Sequence, residues 1–251
     1  MRHLIIPDSH ASPDHNNDRF IWLGKFIKDI KPDVVIDIGD SADMPSLCSY
    51  DKGKKGYDSR RYLDDVDAYK DAMEKLWHPF KKGRGLPKRI KVRGNHEDRI
   101  NRSTEFSGVM ADTYGIQDLE EDRFNDIVSN YMFAVEQDGI FYNHVCPSPI
   151  MSKPLGSVNL ARAIIKQEHH SYTVGHTHTR DFHEERGWQA CVVGCYFDSH
   201  HDFAGPANSN YWRGILVKEE VSNGRYEPQW YSIARLKEEY GTKNKKAKKA
   251  S

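Results

Sequence analysis

The sequence predicts one α/β domain built on a doubly wound or layered sheet. Three observations point there. Short apolar, β-branched runs alternate with amphipathic helices in a β-α-β-α-β order over roughly the first hundred residues. Polar blocks rich in Asp, His and Asn follow these runs directly, at the carboxyl ends where open α/β sheets carry their sites. No internal repeat and no linker rich in Pro, Gly or Ser divides the 251 residues, a length suited to one large domain or two small ones.

The elements follow in order. "HLIIP", His3 to Pro7, is a short strand ending on Asp8. "NDRFIWLGKFIKDI" sets Phe20, Leu23, Ile27 and Ile30 at helical spacing, with Asn17 or Asp18 as the N-cap. "DVVIDIG" is a second strand whose nearly continuous branched residues suit a sheet covered on both faces. The Gly- and Lys-rich "SYDKGKKGYDSRR" is a loop. A helix from about Tyr62 to Phe80 then carries Leu63, Val66, Met73, Leu76 and Phe80 on one stripe. "RIKVRG" is the third strand. Residues Ile100 to Asn130 are polar and mostly helical in character, with no clear strand. "YMFAVEQDGIFYNHV" has a hairpin pattern around Gln-Asp-Gly. "SVNLARAIIKQEHH" is a helix with Ser157 as N-cap and Leu160, Ile164 and Gln167 on one face, and "SYTVG", "WQACVVG", "YWRGILVKEE" and "EPQWYSIARL" close the chain mostly as strands.

Composition narrows the class. Hydrophobic residues at 37% and charged residues at 29% fit a soluble globular protein, and the apolar runs are too short to span a bilayer. The N-terminal "MRHLIIPDSH" lacks the apolar stretch of a secretory signal. The cysteines Cys48, Cys146, Cys191 and Cys195 form no CxxC pair and read as reduced thiols, which suits a cytoplasmic location. The formal charge is zero, yet "TKNKKAKKAS" holds five lysines; without them 32 basic residues face 37 acidic ones. That terminus, residues 241–251, reads either as a disordered, solubilising tail or as a contact for nucleic acid or an acidic surface. The preceding body, 1–240, shows no basic stripe of the kind that dominates nucleic-acid affinity. No membrane contact and no protein partner is evident.

Five polar blocks sit on this framework: "DSH" (Asp8 to His10), "GDSAD" (Gly39 to Asp43), "RGNHEDR" (Arg93 to Arg99), "NHV" (His144) and "GHTH" (Gly175 to His178). Four follow an apolar strand, and His144 falls in the second strand of the hairpin. Each alone has an ordinary structural explanation, such as a helix cap, an Asx turn or a satisfied strand histidine. Their repetition at strand ends does not. Asp, His and Asn together are the mixed oxygen and nitrogen donors of divalent transition metals. His176 and His178 lie two apart, so an extended chain would turn both rings to one side.

In this order, DxH, GDxxD, GNHE, a lone His and GHxH, the chain resembles the binuclear metallophosphoesterases, also called calcineurin-like phosphoesterases. The resemblance spans about Met1 to Gly194. It implies a layered β-sandwich core flanked by helices in a single domain, with inserted loops near 44–61 and 100–130. It also implies that Asp8, His10 and His178 hold one metal ion, that Asn95, His144 and His176 hold a second, and that Asp40 bridges them. His96 would bind the phosphate and donate a proton to the leaving oxygen, with Asp43 orienting its ring.

The chemistry gives these residues a reason. A phosphoester repels hydroxide, and neutral water is a weak nucleophile. Two cations ~3.5–4 Å apart bind a bridging water, lower its pKa and clamp the oxygens of an in-line displacement. A bridging carboxylate holds like charges at that spacing, while neutral His and Asn complete the shells without cancelling the Lewis acidity. Manganese suits such a site, as do iron, zinc, cobalt and nickel. The glycines before Asp40, Asn95 and His176 are expected to let the strands turn sharply. Arg99, like Arg93, is a candidate for phosphate contact, with a surface ion pair to Glu97 or Asp98 as the plainer reading.

Substrate is less legible. Protein phosphatases of this superfamily continue GDxxD with Arg-Gly, whereas this chain reads "GDSADMPS". About 70 residues follow His178, little for a separate capping domain once the sheet is completed. The expected reaction is hydrolysis of a small phosphomonoester or phosphodiester, or a nucleotide. A nuclease on DNA or RNA, anchored by the lysine tail, is the alternative, and a non-catalytic scaffold a third reading. Specificity is expected in the loops Met44 to Arg61, Ile100 to Asn130 and "CPSPIMSKPLG", with Tyr50, Tyr57, Tyr114 and Trp212 as candidates to stack on a base.

Overall fold

The computed structural model describes residues 1–49, 53, 58–81, 83–105, 112–198 and 202–241. Tyr50, Tyr57, His200, His201 and the lysines of the terminal tail lie outside the described residues. Two sheets stack between helices, the two-sheet α/β architecture the sequence implies.

The first sheet orders its strands β11-β10-β1-β2-β3-β4. Its centre is parallel: β1 (His3–Ile6), β2 (Val34–Asp37) and β3 (Lys88–Val92). β10 (Gly214–Ser222) and β11 (Arg225–Ser232) add antiparallel to one side, and β4 (Ile127–Ser129) adds parallel to the other. The second sheet runs β5-β6-β7-β9-β8. Here β5 (Val135–Gln137) and β6 (Ile140–Tyr142) form the hairpin, and β7 (Ser171–Val174) pairs parallel with β6 and with β9 (Trp188–Val193). β8 (Arg180–Glu185) closes the edge against β9.

Strand alternation builds three apolar layers from these two sheets. Leu4 and Ile6 of β1 face α1 (Asp18–Ile30) and α2 (Tyr62–Trp77), whose Phe20, Leu23, Ile27, Val66, Met73 and Leu76 share their cluster. Ile5 points the other way, into an inter-sheet layer with Ile36, Ile90, Ile140, Tyr142 and Val193. Outside the second sheet, α5 (Leu160–Glu168) sets Ile164 and Ile165 on Val174, Ala190 and Val192. No helix among the described residues is long and apolar enough to cross a membrane.

Several elements differ from expectation. β4 lies in the stretch expected to be helical around α3 (Asp98–Glu105) and α4 (Glu121–Phe124). A three-residue edge strand is too short to display a period of two. β8 and the terminal α6 (Ile233–Tyr240) were also not foreseen as separate elements. Leu63 faces solvent, while Asp65 is buried and accepts from the Ser46 amide at 2.9 Å. α2 ends at Trp77, and His78 to Phe80 tighten into a 3₁₀ turn around Pro79. Asn17 holds the N-cap position of α1 but its side chain makes no cap, and its Nδ2 donates to the Ala68 carbonyl and to Asp71. Ser157 does not cap α5 either; Asn159 holds that position, and Ser157 Oγ accepts from its amide. All four cysteines are free thiols.

Candidate metal centre

The parallel strands end at one edge, and their loops remain paired beyond the sheet. The amides of Asp8, His10 and Ala11 donate to the carbonyls of Gly39, Asp40 and Ser41 at 3.2, 2.9 and 2.8 Å. In the second sheet, the Gly175 amide donates to the His144 carbonyl at 3.1 Å. At this edge the two sheets are tied to each other by the His176 amide donating to Asp8 Oδ1 at 2.9 Å and by His144 Nδ1 donating to the Ile38 carbonyl at 3.0 Å, among other bonds. With the His96 amide donating to Asp40 Oδ1 at 2.8 Å, all five blocks meet. His144 lies just past β6 rather than inside it.

Three donor groups result, each with its ligand atoms within 4.8 Å: Asp8, His10 and His178; His10, Asp40 and His96; Asp40, His144 and His176. In the first, His10 Nε2 and His178 Nε2 are 3.2 Å apart and His178 Nε2 is 3.3 Å from Asp8 Oδ1. In the third, His144 Nε2 is 3.2 Å from Asp40 Oδ2, and Asn95 Oδ1 stands beside the group, 3.1 Å from the same nitrogen. Adjacent donors each about 2.1 Å from a shared cation sit roughly 3.0–3.4 Å apart, so these spacings fit one divalent ion in the first group and another in the third. Asp40 belongs to the third group and, through the second, lies within 4.8 Å of the His10 of the first.

Hydrogen bonds behind the rings aim them. The Ile38 carbonyl takes the Nδ1 proton of His144 and leaves Nε2 directed at Asp40 and Asn95. Asp43 Oδ1 takes the Nδ1 proton of His10 at 2.8 Å, while the Nδ1 proton of His96 goes to the Asp43 carbonyl at 2.8 Å with Oδ1 3.0 Å away. Asp43 thus orients a candidate metal ligand as well as the candidate proton donor, where only His96 was expected.

Electrostatics favours cations here. Burial lowers His10 and, with the neighbouring His144, brings His176 down to about 4, so both are neutral lone-pair donors at neutral pH. Burial also opposes charge on His144 and His96, but the Asp40 carboxylate outweighs it, raising His144 to about 9 and His96 above its ordinary value. Asp40 and Asp43 are held far below the usual carboxylate range by surrounding histidines despite burial.

The backbone is strained at the same places. Asp8, His10, Asp40, His176 and His178 all take positive φ, from 36° to 68°, a cost that clusters at functional sites. The glycines only partly serve as expected. Gly39 does turn at φ 101°. Gly94 and Gly175 instead make room: a Cβ on Gly94 would strike Asp40 Oδ1, and one on Gly175 would strike Asp8 Oδ2.

Arg99 and Glu97 depart from the surface ion pair read from sequence. Arg99 Nη1 donates to the carbonyls of Asp43 (2.8 Å) and Met44 (3.3 Å), and its Nη2 lies 3.0 Å from His96 Nε2. Arg93 pairs with Glu121 at 2.7 Å. Glu97 is fully buried and accepts the amides of Asp40, Ser41, Ala42 and Gly94, with Lys91 at 3.2 Å as its cation. It was present in "GNHE" but its partners are remote in sequence. Tyr114 packs on Tyr62 and Trp212 on Trp230 rather than offering bare stacking faces, and His169 and His170 pack on Trp188 and Phe141, away from the centre.

No family model matches the chain, and no curated protein does. Among solved structures it is similar to a single-mutant Vps29 from Entamoeba histolytica, at 14% identity over 92% of this chain and 100% of that one, with a TM-score of 0.43. It is also similar to wild-type Vps29 of the same organism complexed with Zn²⁺, at 15% identity over 93% and 99% of the chains, with a TM-score of 0.41. Likenesses this distant carry no assignment, and what the centre can do follows from its own residues.

Proposed function

We propose that this chain is a metal-dependent phosphoesterase working on two divalent cations. The observation that carries the reading is the convergence of Asp8, His10 and His178 in one donor group and Asp40, His144 and His176 in another, linked by a third of His10, Asp40 and His96. Asp8, His10 and His178 would hold one ion and Asn95, His144 and His176 the other, with Asp40 common to both. When bound, such a pair supplies an activated water and Lewis-acid contacts to the phosphoryl oxygens.

The remaining work falls to side chains. Asp43 holds His96 by Nδ1 and so aims Nε2, the atom that would pass a proton to the departing oxygen once Arg99 Nη2, which donates to it at 3.0 Å, has turned to the phosphate. Arg99 reaches the same Nε2 and is pinned by two carbonyls, with no carboxylate paired to it among the described residues. Its guanidinium is suited to a phosphate oxygen bound beside His96. A small phosphomonoester, phosphodiester or nucleotide is the substrate class we favour.

Hydrolysis of p-nitrophenyl phosphate and bis-p-nitrophenyl phosphate by manganese-loaded protein tests this and separates monoesterase from diesterase. His96→Ala should keep both ions and lose at least ~100-fold in kcat. Absence of turnover with every divalent metal would refute the enzyme and leave a binding protein with the same centre.

A further inference from the structure

Arg19, in the first turn of α1, is only 3% exposed, and its hydrogen bonds all end on backbone carbonyls. Nη2 donates to Ser9 at 2.6 Å and to His10 at 3.2 Å, Nη1 to Asn16 at 2.8 Å, and Nε to Tyr196 at 3.1 Å. Tyr196 returns the contact, its hydroxyl donating to the Arg19 carbonyl at 2.8 Å and its amide to the Asp8 carbonyl at 3.1 Å. The clamp therefore closes on the segment that carries Asp8 and His10, both at positive φ (36° and 44°). Such a backbone persists only where its surroundings over-determine it. Phe197, next to Tyr196, packs edge-on against both His10 and His178.

We infer that Arg19 is a positioning residue for the first cation: its fork holds the Asp8–His10 loop in the strained form that aims Asp8 and His10 at His178. The inference rests on the two-cation reading above. A buried guanidinium also repels a nearby cation, so two opposed effects are present. Asp43 and Asp198 act on Arg19 electrostatically and offset that charge, and the geometric effect should win. Lysine keeps the charge but cannot bridge four carbonyls; methionine loses both.

The test is calorimetric titration of manganese(II) alone into the full chain, its Arg19→Lys and Arg19→Met variants, and His178→Ala as the marker for the first ion. Wild type is expected to take two ions. Both Arg19 variants should keep one at wild-type affinity and lose ~10–100-fold on the other, the same step weakened in His178→Ala. Hydrogen exchange should quicken in residues 8–12 while Ser41 and Ala42, whose amides are held by Glu97, and the body of α1 stay protected. Unchanged affinities in Arg19→Lys, or a tighter first ion in Arg19→Met, would overturn the inference. So would uniform exchange across the sheets, which would assign Arg19 to global stability. A wild-type chain that binds no manganese would overturn the two-cation reading and this inference with it.

Discussion

Replacing Glu97 by glutamine keeps the shape of the side chain and removes only its charge, at the point where the loops of β2 and β3 are tied together. Oε1 accepts from the Ser41 and Ala42 amides at 2.8 and 3.0 Å, and Oε2 from the Asp40 and Gly94 amides at 3.0 and 2.8 Å. Whichever way the new amide is turned, its NH₂ faces two backbone donors, and Lys91 loses a buried counter-charge. Two charge-assisted bonds at about 1.5–3 kcal/mol each give about 3–6 kcal/mol. Opening a buried ion pair on one side costs about 3–5 kcal/mol, an upper bound here because Lys91 keeps Asp37 at 3.1 Å. These describe the same lost charge and do not add.

A third route agrees. Burial alone would raise the Glu97 carboxyl, yet Lys91 and the amides bring it from 4.5 to about 2; at 1.36 kcal/mol per pH unit this is about 3 kcal/mol. Because the folded value is depressed, that stabilisation is present above pH 4.5 and is lost as the pH falls through about 2. Glu97→Gln should therefore lower the unfolding free energy at pH 7 by about 3–5 kcal/mol, read from urea denaturation at unchanged m-value. A loss below ~1 kcal/mol would refute the claim that this carboxylate organises the centre.

Lys218 is buried between the sheets, its ammonium 4.0 Å from the Tyr226 ring and 4.7 Å from that of Tyr142, and burial takes it from 10.5 to about 7. The unfolded chain binds the extra proton between those values, so stability rises across pH 7 to 10.5. Lys218→Met should add ~2–3 kcal/mol at pH 6, the desolvation cost less the cation–π return; an equal gain at pH 10 would contradict this. Gly175→Ala, which pushes on Asp8 Oδ2, should weaken one ion, whereas Gly94→Ala, which pushes on the shared Asp40, should weaken both; equal effects in manganese titrations would count against Asp40 as the bridge. Arg99→Met should raise KM for p-nitrophenyl phosphate ~10-fold or more while metal affinity is preserved, and an unchanged KM would remove Arg99 from the phosphate site.

What was legible locally was the chain order of the central strands and major helices and the polar blocks at four strand ends, with His144 read as lying inside its strand. Apolar periodicity and strand-terminal Asp, His and Asn are local signals that survive without a partner. Even Arg99 could be nominated, though its contacts with His96 and the Asp43 carbonyl could not. β4 was invisible because three residues at a sheet edge hold too little pattern, and Leu63 was misassigned because helical spacing does not say where the packed face ends.

The sequence by itself determined which side chains could serve a metal centre and the order in which the chain would deliver them. Only the tertiary structure decided that His10 and His178, 168 positions apart, face each other at 3.2 Å, and that Asp43 serves two rings. It alone assigned Glu97, Lys91 and Arg19 to the support of those loops. The physical reason is that a ligand is announced by its own chemistry, whereas a support is defined by the backbone carbonyls and amides it meets, and every residue has those.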